Sequence, residues 1–127
     1  MTFSLVGKCN RSGMLGAAVT TSSIGVGSRV PWARAGVGAI CTQHRTDPRL
    51  GPRGLAFLEA GKNAAETVAA LTADDPTIGW RQLAVIDKDG DTTCFHGDRI
   101  KSTHAGSEGN SCCATGNIIR NEQVPVA

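Results

Sequence analysis

The second residue carries a hydroxyl at the start of an alternating polar and apolar segment, MTFSLVG. Methionine aminopeptidases generally remove Met1 when the next residue is small, and Thr2 qualifies. Removal would leave a free α-amine beside a hydroxyl on one residue. Such an amine, whose reference pKa is about 7.7–8.0, can act as general base for its own side chain. Thr2 is therefore a candidate catalytic nucleophile, and an ordinary first strand residue is the alternative.

A second group of hydroxyls, Thr20-Thr21-Ser22-Ser23, follows a segment of small and β-branched residues. If the two segments pair as an antiparallel hairpin, the hydroxyls lie near Thr2. Thr21 and Ser22 are then candidate substrate contacts. The same hydroxyls could instead satisfy the backbone of the loop that follows.

Two short pairs, Cys41-x-x-His44 and Cys94-x-His96, contain side chains that can bind zinc. Their spacing is looser than the tight ligand pairs of structural zinc sites, and a free cysteine among small apolar residues is usually a small hydrophobe. The acidic run Asp87–Asp91 lacks the glycine that a calcium loop needs after its third acid, and a hairpin turn explains it. We expect no metal ion and no cofactor.

The five cysteines are an odd number without regular spacing, unlike a secreted disulfide framework. The first residues lack the apolar region of a signal peptide, so we expect a cytoplasmic protein with reduced thiols. One of these thiols, Cys113, is a weaker alternative nucleophile, with Asn117 or a histidine to assist it. A buried, unreactive Cys112-Cys113 pair is the simpler interpretation.

The charges nearly balance, with 13 basic against 11 acidic residues. An arginine-rich stretch between Arg29 and Arg53 contains one aromatic residue, Trp32, which is too few for the stacking surfaces of nucleic-acid binders. Bidentate contacts to a small anion fit this stretch better. No apolar run approaches the roughly 20 residues of a membrane span. We therefore expect neither nucleic acid nor membrane as a partner.

The elements that must position these side chains follow a strand, helix, strand order. Two strands at TFSLVG and MLGAAVTTSS form a hairpin, a loop covers SIGVGSRVPWARAG, and AGVGAICTQ is a third strand. A helix ends at Gly61, and a capping box from Asn63 to Glu66 begins a second helix. RQLAVIDKDGDTTCFHG is a second hairpin, residues 101–111 are loop, and CCATGNII is a last strand. Strand runs separated by a helix pair predict an α+β fold.

Several long blocks of the chain together resemble a known bacterial family. They are MTFSLVG, GAAVTTSSIGVGSRVPWARAGVGAICTQ, LGPRGLAFLEAG, RQLAVIDKDG and TGN. They resemble a family of domains of unknown function whose members adopt an Ntn-hydrolase-like αββα sandwich. The resemblance implies two stacked antiparallel sheets between helix layers. We expect residues 1–127 to form one such domain, either complete or as the N-terminal part of that sandwich.

The resemblance also implies a site. In Ntn hydrolases an N-terminal Thr, Ser or Cys cleaves an amide bond, and that role falls on Thr2 once Met1 is removed. The Thr21-Ser22 strand end would face it. Gln43 and Asn117 would contact the oxyanion or the substrate, and His44 would bind substrate beside Gln43.

The function that we expect is hydrolysis of a non-peptide or small peptide amide. Ntn hydrolases often mature by internal autoproteolysis, so this chain could be one subunit of a cleaved precursor that carries the nucleophile on its second piece. The expected partners are a small amide substrate and either a second chain or further copies in a homo-oligomer. The alternative is a binding or assembly protein that keeps the sandwich without the chemistry.

Overall fold

A computed structural model describes residues 1–126, and Ala127, the last residue of the expected domain, lies outside the described residues. The chain forms two antiparallel four-stranded sheets and two helices. Sheet A has the order β2 (Leu15–Thr21), β1 (Thr2–Lys8), β8 (Cys112–Asn117), β7 (His104–Gly109). Sheet B has the order β3 (Pro31–Arg34), β4 (Gly38–Gln43), β5 (Gln82–Asp87), β6 (Thr92–His96). The helices are α1 (Leu50–Glu59) and α2 (Ala64–Ala73), and short 3-10 turns cover Val26–Ser28 and Ile78–Trp80.

Both helices cover the same sheet. Helix α1 packs on β3 and β4, helix α2 packs on β5 and β6, and the other face of sheet B stacks on sheet A. The predicted α+β class with two stacked antiparallel sheets is confirmed, and the described residues form a helix–sheet–sheet part of the expected αββα sandwich. Within residues 1–126, no helix has the length and apolarity that a bilayer crossing requires.

The first hairpin forms as predicted. Strand β1 pairs antiparallel with β2, so that Thr2 lies opposite Thr21. On its other side β1 pairs with β8, where Thr2 lies opposite Asn117. Alternation buries Ser4 and Val6 against sheet B and leaves Leu5 exposed, which fixes the register of the strand.

The second helix starts at the predicted capping box. The Asn63 side chain accepts a hydrogen bond from the Glu66 amide at 2.8 Å, and the Glu66 carboxylate accepts one from the Asn63 amide at 3.0 Å. Asp87, at the end of β5, accepts a further bond from the Ala64 amide at 3.0 Å. Its other oxygen accepts from the amides of Asp89 and Asp91. The acidic run therefore organises the β5–β6 turn and joins it to α2.

Two loop predictions were wrong. The predicted loop SIGVGSRVPWARAG contains β3, an edge strand that begins at Pro31, where the missing amide hydrogen of proline is tolerated. The predicted loop 101–111 contains β7, whose small and polar residues show no alternation of their own. Pairing with β8 imposes the strand there, because tertiary context overrides weak local preference.

The layer between the sheets changes from polar to apolar along its length. Near the start of β1 it holds buried polar side chains: Ser4, Gln43, Gln82, Thr115 and Asn117. Further along it holds an apolar group that includes Val6, Cys41, Ala84, Ile86 and Cys113. Buried polar groups require hydrogen-bond partners, so the polar end must be an organised network.

A glycine substitution tests the packing of sheet B. An added Cβ at Gly38 would lie 2.5 Å from the Ile86 carbonyl oxygen and 2.6 Å from Leu58 Cδ1. Strand β4 is paired on both sides, so its backbone cannot move away from these atoms. We therefore expect Gly38→Ala to lower the free energy of unfolding by about 1–3 kcal/mol in urea titrations. Gly16→Ala, whose Cβ would meet nothing within 4 Å, is the strand control and should change stability by less than about 0.5 kcal/mol. Equal stability of the two variants would contradict this packing.

Candidate functional site

A pocket of about 680 Å³ opens at the polar end of the sandwich, where β1 begins and β2, β4 and β8 end. This volume lies within the range of small-molecule sites. The residues that line it come from both sheets and from the loops beside them: Thr2, Thr21, Ser23, Val26, Arg29, Val30, Gln43, His44, Arg45, Thr46, Trp80, Arg99, Lys101, Ser102, Asn117 and Ile118.

The fold brings most of the predicted site residues together in this pocket. Thr2, Thr21, Gln43, His44 and Asn117 all line it. Ser22 does not: it is exposed beyond the end of β2, and Ser23 lines the pocket instead. Strand β2 ends at Thr21, so the strand pairing that fixes Thr21 does not extend to Ser22. The chemical roles of these residues remain predictions.

The Thr2 hydroxyl has a defined hydrogen-bond partner. Its Oγ1 lies 3.0 Å from Thr21 Oγ1, and the Thr21 hydroxyl donates to the Met1 carbonyl at 2.9 Å. Since Thr21 has one hydroxyl proton, Thr2 must be the donor in the pair that the two hydroxyls form. Loss of Met1 would remove the carbonyl acceptor and leave the Thr21 proton free to point at Thr2.

Gln82, which the sequence analysis did not single out, connects the buried amides. Its Oε1 accepts hydrogen bonds from Gln43 Nε2 at 2.6 Å and from Asn117 Nδ2 at 3.0 Å. Its Nε2 donates to the Gly116 carbonyl at 2.9 Å and lies 2.9 Å from His96 Nδ1. Both ends of the Gln82 amide are thus occupied, which fixes its orientation.

This network leaves hydrogen-bonding capacity at the pocket. Asn117 Nδ2 carries a second hydrogen beyond the one given to Gln82. Gln43 Oε1 is buried and accepts no hydrogen bond from any residue in the range 1–126. A buried acceptor without a partner costs about 1–3 kcal/mol, which an N–H of a bound ligand would offset. The residues that line the pocket therefore offer an acceptor from β4 of sheet B and a donor from β8 of sheet A.

Several residues at the pocket hold an unusual backbone conformation. His44, Arg45 and Ile118 have positive φ angles of 59°, 49° and 53°. A left-handed conformation costs a non-glycine residue about 1–3 kcal/mol, and such residues cluster at functional sites. The turn lets His44 Nδ1 donate to the Trp80 carbonyl at 2.7 Å, which fixes the orientation of the ring.

Positive charge surrounds the opening. Arg45 lies 4.0 Å from the centre of the Trp80 ring and Arg99 lies 5.8 Å from it. Arg29 and Lys101 complete the set, and no acidic residue is among the described residues that line the pocket. The two ion pairs found within residues 1–126 involve none of these cations. The pocket therefore favours a ligand that carries a carboxylate or another anionic group.

The predicted thiol chemistry lies elsewhere. Cys41 is buried between the sheets, away from the pocket that His44 lines, and burial raises its pKa to about 12. Cys113 is also buried and outside the pocket, and a hydrogen bond from its thiol to Cys94 raises its pKa. The same bond, together with one from His96, lowers the pKa of Cys94 to about 4. Cys113 is thus a poor candidate for the nucleophile at the pocket.

The fold and pocket define a two-sheet α+β sandwich with a cationic, amide-lined cleft at one end. The chain belongs to the family of unknown function DUF1028, whose family model matches residues 2–127. The crystal structure of a DUF1028 protein from Silicibacter pomeroyi is similar, with a TM-score of 0.95, 27% sequence identity and 99% of this chain covered. The match covers 56% of that protein, so the chain spans a little over half of its length. No curated protein matches the chain.

Replacement of Gln82 tests the amide network. Gln82→Leu would leave the Gln43 and Asn117 donors buried without their acceptor, so we expect the free energy of unfolding to fall by about 2–4 kcal/mol. Thermal and urea unfolding would measure the loss. Gln123→Leu, at an exposed position, is the matched control and should stay within about 0.5 kcal/mol of wild type. A Gln82→Leu protein as stable as that control would contradict the network.

Proposed function

We propose that the chain is an amide hydrolase of the N-terminal-nucleophile type that acts on a small, anionic substrate after Met1 is removed. One observation carries the proposal: Thr2 lines the pocket with its Oγ1 3.0 Å from Thr21 Oγ1, and it lies opposite Asn117, which lines the same pocket, in the β1–β8 ladder. A candidate nucleophile, a hydroxyl partner and an amide thus line one pocket, and acyl transfer needs groups of these types.

The proposed reaction uses groups of this chain alone. The α-amine of Thr2 takes the proton of its own hydroxyl while Oγ1 attacks the substrate carbonyl carbon. The free Nδ2 hydrogen of Asn117 and backbone amides stabilise the oxyanion that forms. Collapse breaks the C–N bond, and the leaving amine takes the proton from the α-ammonium. Water then hydrolyses the Thr2 ester by the same base, which releases the acid and restores the hydroxyl.

The substrate class follows from the rim of the pocket. Arg45, Arg99 and Lys101 offer positive charge without acidic neighbours in the lining, which suits a carboxylate on the substrate. Gln43 Oε1 offers an acceptor for a substrate N–H. An N-acylated amino acid, which combines an amide with a carboxylate, has the required groups and serves as the probe.

The second candidate is a binding protein that uses the same pocket without chemistry. While Met1 is present, the nitrogen of Thr2 is a peptide nitrogen and cannot act as a base. The one side chain that the described structure places in hydrogen-bond contact with Thr2 Oγ1 is the hydroxyl of Thr21, which is not a base at neutral pH. Binding of an acylated amino acid without turnover would favour this candidate. We also propose that the chain has a protein partner, which is either the other piece of a cleaved precursor or a further copy in a homo-oligomer.

Substitution of Thr2 tests the nucleophile. With a panel of N-acylated amino acids as substrates, we expect Thr2→Ala to abolish amide turnover and Thr2→Ser to retain part of it, because serine keeps the hydroxyl. Thr20→Ala removes a neighbouring exposed hydroxyl of β2 and is the control that should leave turnover unchanged. Turnover by Thr2→Ala at the wild-type rate would overturn the proposal.

Removal of a rim cation tests the substrate class. Arg99→Gln should weaken binding of the acylated amino acids by about tenfold to a hundredfold, the equivalent of ~1.5–3 kcal/mol for a hydrogen bond to a charged group. Isothermal titration would measure the change. Lys88→Gln, at the turn after β5 at the opposite end of the sandwich, is the charge-matched control. Equal binding of the acids and their methyl esters to wild type would contradict an anionic substrate.

A further inference from the structure

A second group of reactive side chains lies at the open edge of the sandwich, where β6 of sheet B faces β7 of sheet A. It consists of Cys94, Glu108 and Cys113, which we call the thiol–carboxylate cluster. The two Sγ atoms and a carboxylate oxygen all lie within 4.8 Å of one another. None of the three residues lines the pocket that contains Thr2.

The strand register explains why these residues meet. Glu108 lies opposite Cys113 in the β7–β8 ladder, so both side chains face sheet B. Cys94 approaches from β6, and its backbone amide donates to Glu108 Oε1 at 2.8 Å. This bond holds the carboxylate beside the Cys94 thiol. Three strands from two sheets thus present their donor atoms to one point.

The donor set suits one kind of ligand. Two thiolates and a carboxylate are typical zinc ligands, with Zn–S distances of about 2.3 Å and Zn–O distances of about 2.0–2.2 Å. In a tetrahedron of that size the ligand atoms lie about 3.5–3.8 Å apart. Separations of up to 4.8 Å therefore need to contract by at most about 1.3 Å, which side-chain rotation can supply.

We propose that Cys94, Glu108 and Cys113 bind one zinc ion, with water in the remaining coordination position. Cys113 is buried, Cys94 is half-buried and Glu108 is exposed, so the ion enters from the carboxylate side and the thiols hold it. The bound ion would cross-link the two sheets at an edge that backbone hydrogen bonds do not close.

His96 supports the cluster from outside the ligand set. A Cβ added to Gly106 would lie 2.8 Å from His96 Nε2 and 2.9 Å from Cys94 Sγ, so the ring and the thiol border the same small space. Gln82 Nε2 donates to His96 Nδ1, because Gln82 Oε1 is taken up by two other amides. With Nδ1 as the acceptor of this bond, the ring hydrogen lies on Nε2, where it donates to the Cys94 sulfur instead of binding metal. The proposed ion is thereby connected through His96 to the amide network of the pocket.

Titration of the whole reduced, metal-free chain with Co²⁺ and then Zn²⁺ tests the site. We expect one Co²⁺ per chain, with a sulfur-to-cobalt charge-transfer band and the intense visible bands of tetrahedral coordination. Zn²⁺ should displace the cobalt, and binding should release the thiol proton of Cys113. Absence of Co²⁺ and Zn²⁺ binding by the folded, reduced chain would overturn the proposal. Formation of a Cys94–Cys113 disulfide in air at saturating Zn²⁺ would also overturn it.

Single variants assign the ligands. Glu108→Gln changes an exposed residue and should fold, and we expect it to weaken Zn²⁺ binding by at least the roughly 10–100-fold typical of a lost outer partner. Cys94→Ser should remove most of the charge-transfer intensity. Cys112→Ser is the matched control, because Cys112 neighbours Cys113 in the chain but faces the opposite side of β8. Equal loss of binding in Cys112→Ser, or unchanged binding in Glu108→Gln, would contradict the assignment, and circular dichroism would confirm that each variant is folded.

Discussion

The burial of the Gln82 amide between two sheets is the interaction on which the rest of the site depends. An amide removed from water is costly unless both its oxygen and its nitrogen find partners. Gln82 finds them on β4, β6 and β8, so the network that satisfies it also fixes the spacing of the sheets. One side chain thus sets where Gln43, Asn117 and His96 lie.

The two candidate sites are consequences of this polar layer. On one side, Gln43 and Asn117 line the pocket, where Gln43 Oε1 has no partner among the described residues and Asn117 Nδ2 keeps one hydrogen beyond the one given to Gln82. On the other side, His96 extends the layer toward the thiol–carboxylate cluster. The apolar group around Val6 and Ile86 lies at the other end of the layer between the sheets. There the burial of apolar side chains stabilises the fold without polar partners. The strained turns at His44 and Ile118 then hold the pocket wall in place.

Local sequence patterns predict much of this architecture. The alternation of TFSLVG and the small residues before Thr21 predict a hairpin that brings Thr2 and Thr21 together, and the capping box at Asn63 predicts the start of α2. Strands β3 and β7 are not predictable in this way, since glycine and proline interrupt the segment that contains β3, β7 shows no alternation, and pairing with β4 and β8 supplies the order. Ser22 lies outside the pocket lining, a position that hydroxyl content alone does not reveal.

Contacts between residues that lie far apart in the chain also cannot be predicted from sequence spacing. Gln82 is the first residue of β5 and belongs to no catalytic motif, although a polar residue in the otherwise apolar segment QLAVI is a signal of a buried partner. The proposed zinc ligands come from three separate strands, and their spacing matches none of the tight pairs by which zinc sites are recognised. The expectation of no metal rested on Cys41-x-x-His44 and Cys94-x-His96, which the fold separates into different surroundings.

Covalent trapping tests the central claim, that Thr2 is the nucleophile, most directly. The purified chain would be treated with a β-lactone, which acylates a nucleophile by ring opening and adds the whole reagent mass. Intact-mass spectrometry and peptide mapping would locate the product. The account predicts a chain that lacks Met1 and carries the acyl group on Thr2. Retention of Met1 in protein that hydrolyses an amide, or acylation confined to a cysteine, would contradict it.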